Sequence, residues 1–318
     1  MKRALEGLRR YQEAERAPPP PLLAAVAQVA GAALRDYGGT GPPVLFVPSL
    51  INPPSILDLS EERSLLRWLA GRGGRRVLLL DWGWPDEKRK ALGVAGHVER
   101  ILLPLLHELD ETADLIGYCL GGTMAAAAAQ LVPIRSLTAI AAPWHFSGFP
   151  ADARAKLARL WDDSRPAVDA LGVLPMEALQ SAFWSLDPAR TVAKFESFAD
   201  MTGEQAASFV TLEDWANDGP PVGGAAAREL FEDFFVADLP GTRQWRVGGG
   251  LSDPNALQMP ILNIVSTSDR IVPSASAMGV GERLELAQGH VGMVVGSRAK
   301  EALWEPLADW LSRTAAKC

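Results

Sequence analysis

One cysteine of this chain stands where it could be a nucleophile. Gly117-Tyr118-Cys119-Leu120-Gly121-Gly122 follows a short β-rich run and precedes an alanine-rich helical stretch. A strand that turns straight into a helix has no room for side chains two before and two after the turning residue. Glycine is therefore needed at both places, and the turning residue is held on a strained backbone facing outward. The Leu120 N–H would then point from a helix N-terminus, whose dipole favours negative charge, toward an oxyanion forming beside Cys119. Alone, the string equally describes a buried structural cysteine at a helix start.

Its partners raise the functional reading. A thiol at such an elbow needs a base and an acid to orient it, arriving in the chain order nucleophile, acid, histidine. Asp269 lies just past the β-rich run 261–265, in Ser266-Thr267-Ser268-Asp269-Arg270-Ile271-Val272-Pro273. His290 follows in Gln288-Gly289-His290-Val291-Gly292. A lone Asp there would be a turn or cap residue, and a lone loop His would have no task. Three residues in the required order make a candidate Cys119–His290–Asp269 triad. Of the other histidines, His145 falls near the expected pocket mouth and reads as a packed loop residue. His97 and His107, neither with a second ligand at i+4, read as surface residues.

The elements that must position these groups follow from the pattern. Short β-rich runs at 44–47, 76–81, 113–117, 137–141, 261–265 and 283–287 are bounded by Gly, Pro or polar residues, as buried strands are. Helical stretches fall between most of them, one starting at Ser60 and another at 98–109, which predicts an α/β protein with a mostly parallel sheet covered on both faces. Between 149 and 256 the alternation breaks. That interval holds helical stretches rich in Trp and Phe, including Trp161, Trp184, Trp215 and Trp245, and reads as a helical cap inserted over the sheet, with Gly/Pro-rich hinges near 218–224 and 247–250. The expected organisation is a core of 36–148 and 257–318 around a cap of 149–256. Residues 1–35, an amphipathic leader followed by Pro18 to Pro21, read as peripheral.

Composition narrows the function classes. With 48% apolar and 22% charged residues, the 318-residue chain matches a folded globular protein rather than a disordered or fibrous one. The net charge is −7 and the basic residues form no run, which argues against a nucleic-acid partner. Two cysteines, Cys119 and Cys318, are too few for a disulfide framework or a thiolate zinc site. The apolar run 22–34 is shorter than the ~20 residues a transmembrane helix needs, and 1–17 lacks the apolar core of an export signal. A cytoplasmic location is expected.

Several stretches resemble the polyhydroxyalkanoate synthases, in particular the catalytic subunit of the two-component, short-chain type, which has the α/β-hydrolase fold. They are Val47-Pro48-Ser49-Leu50-Ile51-Asn52 with Ile56-Leu57-Asp58-Leu59, Leu80-Asp81-Trp82-Gly83-Trp84-Pro85-Asp86, the elbow with its double glycine, and Leu212-Glu213-Asp214-Trp215 with Asp218. The resemblance covers roughly residues 36–311 and departs at Ala142-Pro143-Trp144-His145-Phe146 and at Arg270, where many members carry histidine. It implies that Cys119 carries a growing acyl chain as a thioester, that His290 is the general base and that Asp269 orients it. It implies that the Ile51 N–H joins that of Leu120 in the oxyanion hole. It implies a 3-hydroxyacyl-CoA substrate with no further cofactor, association with polymer granules, and a second copy or an accessory synthase subunit as partner. A Cys-dependent hydrolase of thioesters, esters or lactones would use the same groups. A non-catalytic granule scaffold would need none of them.

Overall fold

In the structure, a computed structural model, residues 2–186 and 188–315 are described; Cys318 lies outside them. Eight strands form the central sheet: β1 (Ala25–Val29), β2 (Ala32–Gly38), β3 (Pro43–Val47), β4 (Arg76–Asp81), β5 (Asp114–Tyr118), β6 (Ser136–Ile140), β7 (Ile261–Ser266) and β8 (Glu282–Leu286). Their spatial order is β1-β2-β4-β3-β5-β6-β7-β8. From β4 to β8 every neighbouring pair is parallel, while β2 runs antiparallel to both β1 and β4.

Strand alternation sorts side chains onto two covered faces. Leu45, Val47, Leu78, Leu80 and Leu115 share one buried cluster with the helical residues Val98, Ile101, Leu105 and Met124. Val44, Phe46, Val77, Leu79 and Ile116 pack on the other face with Leu65, Leu66, Leu69, Leu303 and Leu307. Since both faces are dry, the inner strands are largely apolar, with Asp114, Ser136, Thr138 and Asn263 as buried polar exceptions; all five residues of β3 are buried.

Two expectations are corrected. The boundary at residue 35 cuts through β2, so residues 25–35 are sheet and not periphery. Ala30 and Gly31, both with positive φ (49° and 80°), form a two-residue turn that pairs Val29 with Ala32, and this hairpin extends the sheet beside β4. The helix expected to start at Ser60 begins at Leu65, as α2 (Leu65–Gly71): the Ser64 hydroxyl accepts the Arg67 N–H as its cap, whereas Ser60 bonds Glu62. The N-terminal helix, α1, spans Lys2–Glu13.

The chain goes from β3 outward to β4 and then crosses back to β5 on β3's other side. The sheet thus reverses direction between β3 and β5, and in open α/β sheets a crevice forms there at the strands' carboxyl ends. Val47 pairs with Gly117, so Ser49–Ile51 after β3 and Cys119 after β5 emerge side by side. After α4 (Ala151–Leu171), residues of α5 (Met176–Leu186), α6 (Pro188–Phe198) and α7 (Gly203–Asn217) line the cavity at this edge. Among the described residues, 149–256 contributes no strand to the large sheet.

Candidate active site

Cys119 sits between β5 and α3 (Leu120–Ala128) with φ 55° and ψ −133°, a conformation that non-glycine residues adopt only under constraint. The constraint is visible: the Cys119 N–H donates to the Ile140 carbonyl and its own carbonyl accepts the Gly122 N–H, each at 2.9 Å. A side chain at Gly117 would run into the Gly122 backbone, and one at Gly121 into the Val47 carbonyl of β3. We expect Gly121→Ala to cost about 1–3 kcal/mol, since the added methyl meets backbone rather than a yielding side chain. Gly289→Ala, where nothing lies within 4 Å of the added carbon, should stay within about 0.5 kcal/mol of the parent. Thermal unfolding of the two variants checks the contrast.

Cys119, Asp269 and His290 line one cavity of about 360 Å³. The His290 Nδ1–H donates to Asp269 Oδ2 at 2.7 Å; the proton lies on Nδ1 because a carboxylate only accepts. The other oxygen, Oδ1, accepts the N–H groups of Ile271 (2.7 Å) and Val272 (3.0 Å), so the whole carboxylate is fixed. The remaining ring nitrogen is left for the Cys119 thiol, which lines the same cavity. Burial alone would lower the pKa of His290, but the neighbouring Cys119 sulfur and Asp269 outweigh it and raise it to about 10. The imidazolium is the form of His290 that these neighbours favour.

Sequence reasoning missed Tyr118. Its ring stacks on His290 with centroids 5.0 Å apart at 28°, and its hydroxyl donates to the His290 carbonyl at 3.2 Å. Strand alternation was the available signal, because it puts Tyr118 on the face of Ile116, toward the His290 loop. Burial, with Cys119 and Asp269 adding to it, pushes the phenol well above its ordinary range and keeps it neutral.

The two N–H groups assigned to the oxyanion stand differently. Leu120 opens α3, where a helix offers its N–H no internal acceptor. The Ile51 N–H donates to the Ser49 hydroxyl at 3.0 Å, so an oxyanion there would have to share or displace that bond. Ile51 and Ser49 both line the cavity. His145 does not; its N–H is tied to the Ser276 carbonyl.

His97 is a correction. It is 3% exposed rather than superficial, its Nδ1 meets the Gly93 carbonyl at 2.8 Å, and its ring stands edge-on to Trp82. Burial lowers its pKa to about 4, so it is neutral. The reading failed because it asked for a partner at i+4 rather than which helix face meets the sheet. His107 is exposed.

Four tryptophans grouped by sequence have two fates. Trp161 stacks on Phe231 and Trp245 packs against Phe234, both buried, whereas Trp184 and Trp215 line the cavity. Beside them, Arg190, Thr191 and Lys194 of α6 and Arg270 also line it. The i, i+1, i+4 spacing of the α6 trio, which places them on one helix face, could have revealed them.

A strained turn between strand and helix, followed by an acid and a histidine at later strand ends, is the arrangement of the α/β-hydrolase fold, and the model of that fold matches residues 42–290. Solved structures agree at the level of fold. A carboxylesterase of the thaumarchaeon Nitrososphaera gargenis has a TM-score of 0.60 at 17% identity, covering 94% of this chain and all of its own. A thermophilic esterase from Thermogutta terrifontis has a TM-score of 0.55 at 17% identity, covering 95% and 99%.

Sequence similarity is narrower. The poly(3-hydroxyalkanoate) polymerase subunit PhaC of Synechocystis sp. is 30% identical over 293 residues, 85% of this chain and 77% of that protein. The subunit of the same name from Haloferax mediterranei is also 30% identical, over 58% of its length, and that of Thiocystis violacea is 28% identical over 80%. The chain belongs to the poly(3-hydroxyalkanoate) polymerase family within the α/β hydrolases. It spans little more than half the length of the Haloferax relative.

Proposed function

We propose that the protein polymerises 3-hydroxyacyl groups taken from coenzyme A thioesters, with Cys119 as the acyl carrier. One observation carries the reading: the Cys119 thiol, at the apex of a strained elbow, meets an imidazole whose other nitrogen is held at 2.7 Å by a fixed carboxylate.

The chemistry closes without another group. The Cys119 thiolate attacks the thioester carbonyl, and the Leu120 N–H, joined by that of Ile51, receives the oxyanion. The coenzyme A thiolate leaves with the proton of the His290 imidazolium, and the acyl group stays on Cys119. Exchanging one thiolate for another of similar basicity keeps this step nearly balanced. Neutral His290 then takes the proton of a second unit's hydroxyl as that oxygen attacks the Cys119 thioester, an ester bond forms, and the thiolate–imidazolium pair returns. If water enters instead, the free acid is released, so the roof of α5, α6 and α7 bears on the outcome.

The relatives are named polymerase subunits, which supports a second subunit as partner here, and a reduced thiol with a coenzyme A substrate suits the cytoplasm or a granule surface. Among the described residues no helix is long and apolar enough to cross a membrane.

Incubation with 3-hydroxybutyryl-CoA tests the proposal when released coenzyme A and the acyl product are followed separately. Coenzyme A release with accumulation of insoluble polyester is expected. Release with stoichiometric free 3-hydroxybutyrate would make the protein a thioesterase, and no release would remove the proposal.

A further inference from the structure

The leader helix reaches the active site from outside. One face of α6 presents Arg190, Thr191 and Lys194 to the cavity, and the same helix is gripped by α1. Contact is backbone-close at Gly7, where any side chain would collide with the Phe195 carbonyl. Arg10 spreads its guanidinium over the last carbonyls of α6 and the following turn, donating to Phe198 (3.3 Å), Ala199 and Met201 (2.9 Å). These carbonyls lie at and beyond the helix end, where the helix supplies no N–H of its own, although that of Phe198 also accepts the Met201 N–H.

The same helix holds α7. The Tyr11 hydroxyl donates to Asp214 at 2.6 Å, and Arg16 pairs with that carboxylate at 3.2 Å. The next residue back, Glu213, holds Lys194 at 2.6 Å, and the next one on, Trp215, lines the cavity while its indole N–H donates to the Pro53 carbonyl. From Arg10 and Tyr11 to the cavity wall there is thus one chain of direct bonds. The leader's other end is fixed, because residues 14–24 run into β1 at the sheet's edge.

We propose that α1 is a strap that sets the roof of the active site, with Arg10 and Tyr11 as positioning residues that hold α6 and α7 in place over Cys119. The inference rests on Cys119 being the proposed nucleophile, but its main readout does not require turnover. Loosening the strap lets α6 swing away from the cavity, which opens the thiol to larger molecules and blurs the wall that meets the substrate.

The test uses the full chain with Cys318→Ser, so that Cys119 is the only thiol. Arg10→Ala, Tyr11→Phe and Gly7→Leu are compared with Arg9→Ala, whose side chain is exposed and pairs with Glu13 along its own helix. The rates at which a small and a bulky maleimide modify Cys119 are measured, with KM and kcat for 3-hydroxybutyryl-CoA alongside. Arg10→Ala and Gly7→Leu should raise the bulky-to-small rate ratio about ten-fold, as a ten-fold larger open population would. KM should rise several-fold, short of the ~10²-fold that a 1 Å misplacement of reacting groups costs, with kcat changed less. Tyr11→Phe should act in the same direction more weakly, and Arg9→Ala should do nothing. A lowered melting temperature with an unchanged rate ratio in both Arg10→Ala and Gly7→Leu would make α1 a stabilising appendage and overturn the proposal. A changed ratio in a protein that releases no coenzyme A would keep the strap and remove the function proposed above.

Discussion

Cys119→Ala is expected to lower coenzyme A release from 3-hydroxybutyryl-CoA by on the order of 10⁴-fold or more, the scale on which loss of a nucleophile acts when the remaining groups work as a unit. The fold should survive. The backbone at 119 is set by its bonds to Ile140 and Gly122 and by the tight approach of Gly117 and Gly121, none of which involves the thiol. Alanine at φ 55° bears the same strain as cysteine, so the melting temperature should change little. Cys119→Ser separates nucleophilicity from shape: the alcohol fills the same space but is far harder to deprotonate, and only a small residue of activity should remain. Purified variants, matched by circular dichroism and assayed for thiol release, decide the matter. A folded Cys119→Ala protein with parental activity would place the nucleophile elsewhere.

The elbow was legible because its chemistry is steric. Glycines two residues on either side of Cys119 are demanded by Val47 and Gly122, so the sequence carries the geometry directly. The inner parallel strands were legible for a similar reason, since strands buried on both faces are largely apolar. What escaped the reading lay where one face is wet or where the partner is distant in the chain. Strand β1, inside the apolar run 22–34, alternates between half-buried and exposed residues, and its pairing with β2 surfaces only through the Ala30–Gly31 turn. Tyr118 bonds a carbonyl 172 residues away, and strand alternation gives the face it points to but not that partner. The leader looked peripheral because its amphipathic face has no local partner; its partners are carbonyls and carboxylates roughly 190 to 200 residues later, beyond the reach of any spacing rule.

Loss of His290 should be the next most damaging change after loss of the thiol. As the group that protonates the leaving coenzyme A and deprotonates the incoming hydroxyl, it should cost on the order of 10²-fold or more on removal, whereas His145→Ala should cost little because His145 does not line the cavity. Asp269→Asn is the finer probe. The amide keeps the shape but can offer Nδ1 a donor where it needs an acceptor, turning the imidazole to the wrong tautomer, so a large loss of rate without unfolding is expected. The same pair leaves a mark on stability. Because the folded pKa of His290 is raised from about 6.5 to about 10, its charge contributes stability that is complete below pH ~6.5 and is lost as pH climbs through about 10. The melting temperature of the parent should therefore fall toward that of His290→Gln across this alkaline range, with the gap widest near neutrality and below. A gap that widens with rising pH would mean the imidazole is neutral in the resting protein. Greater damage from His145→Ala than from His290→Ala would mean the base has been misassigned.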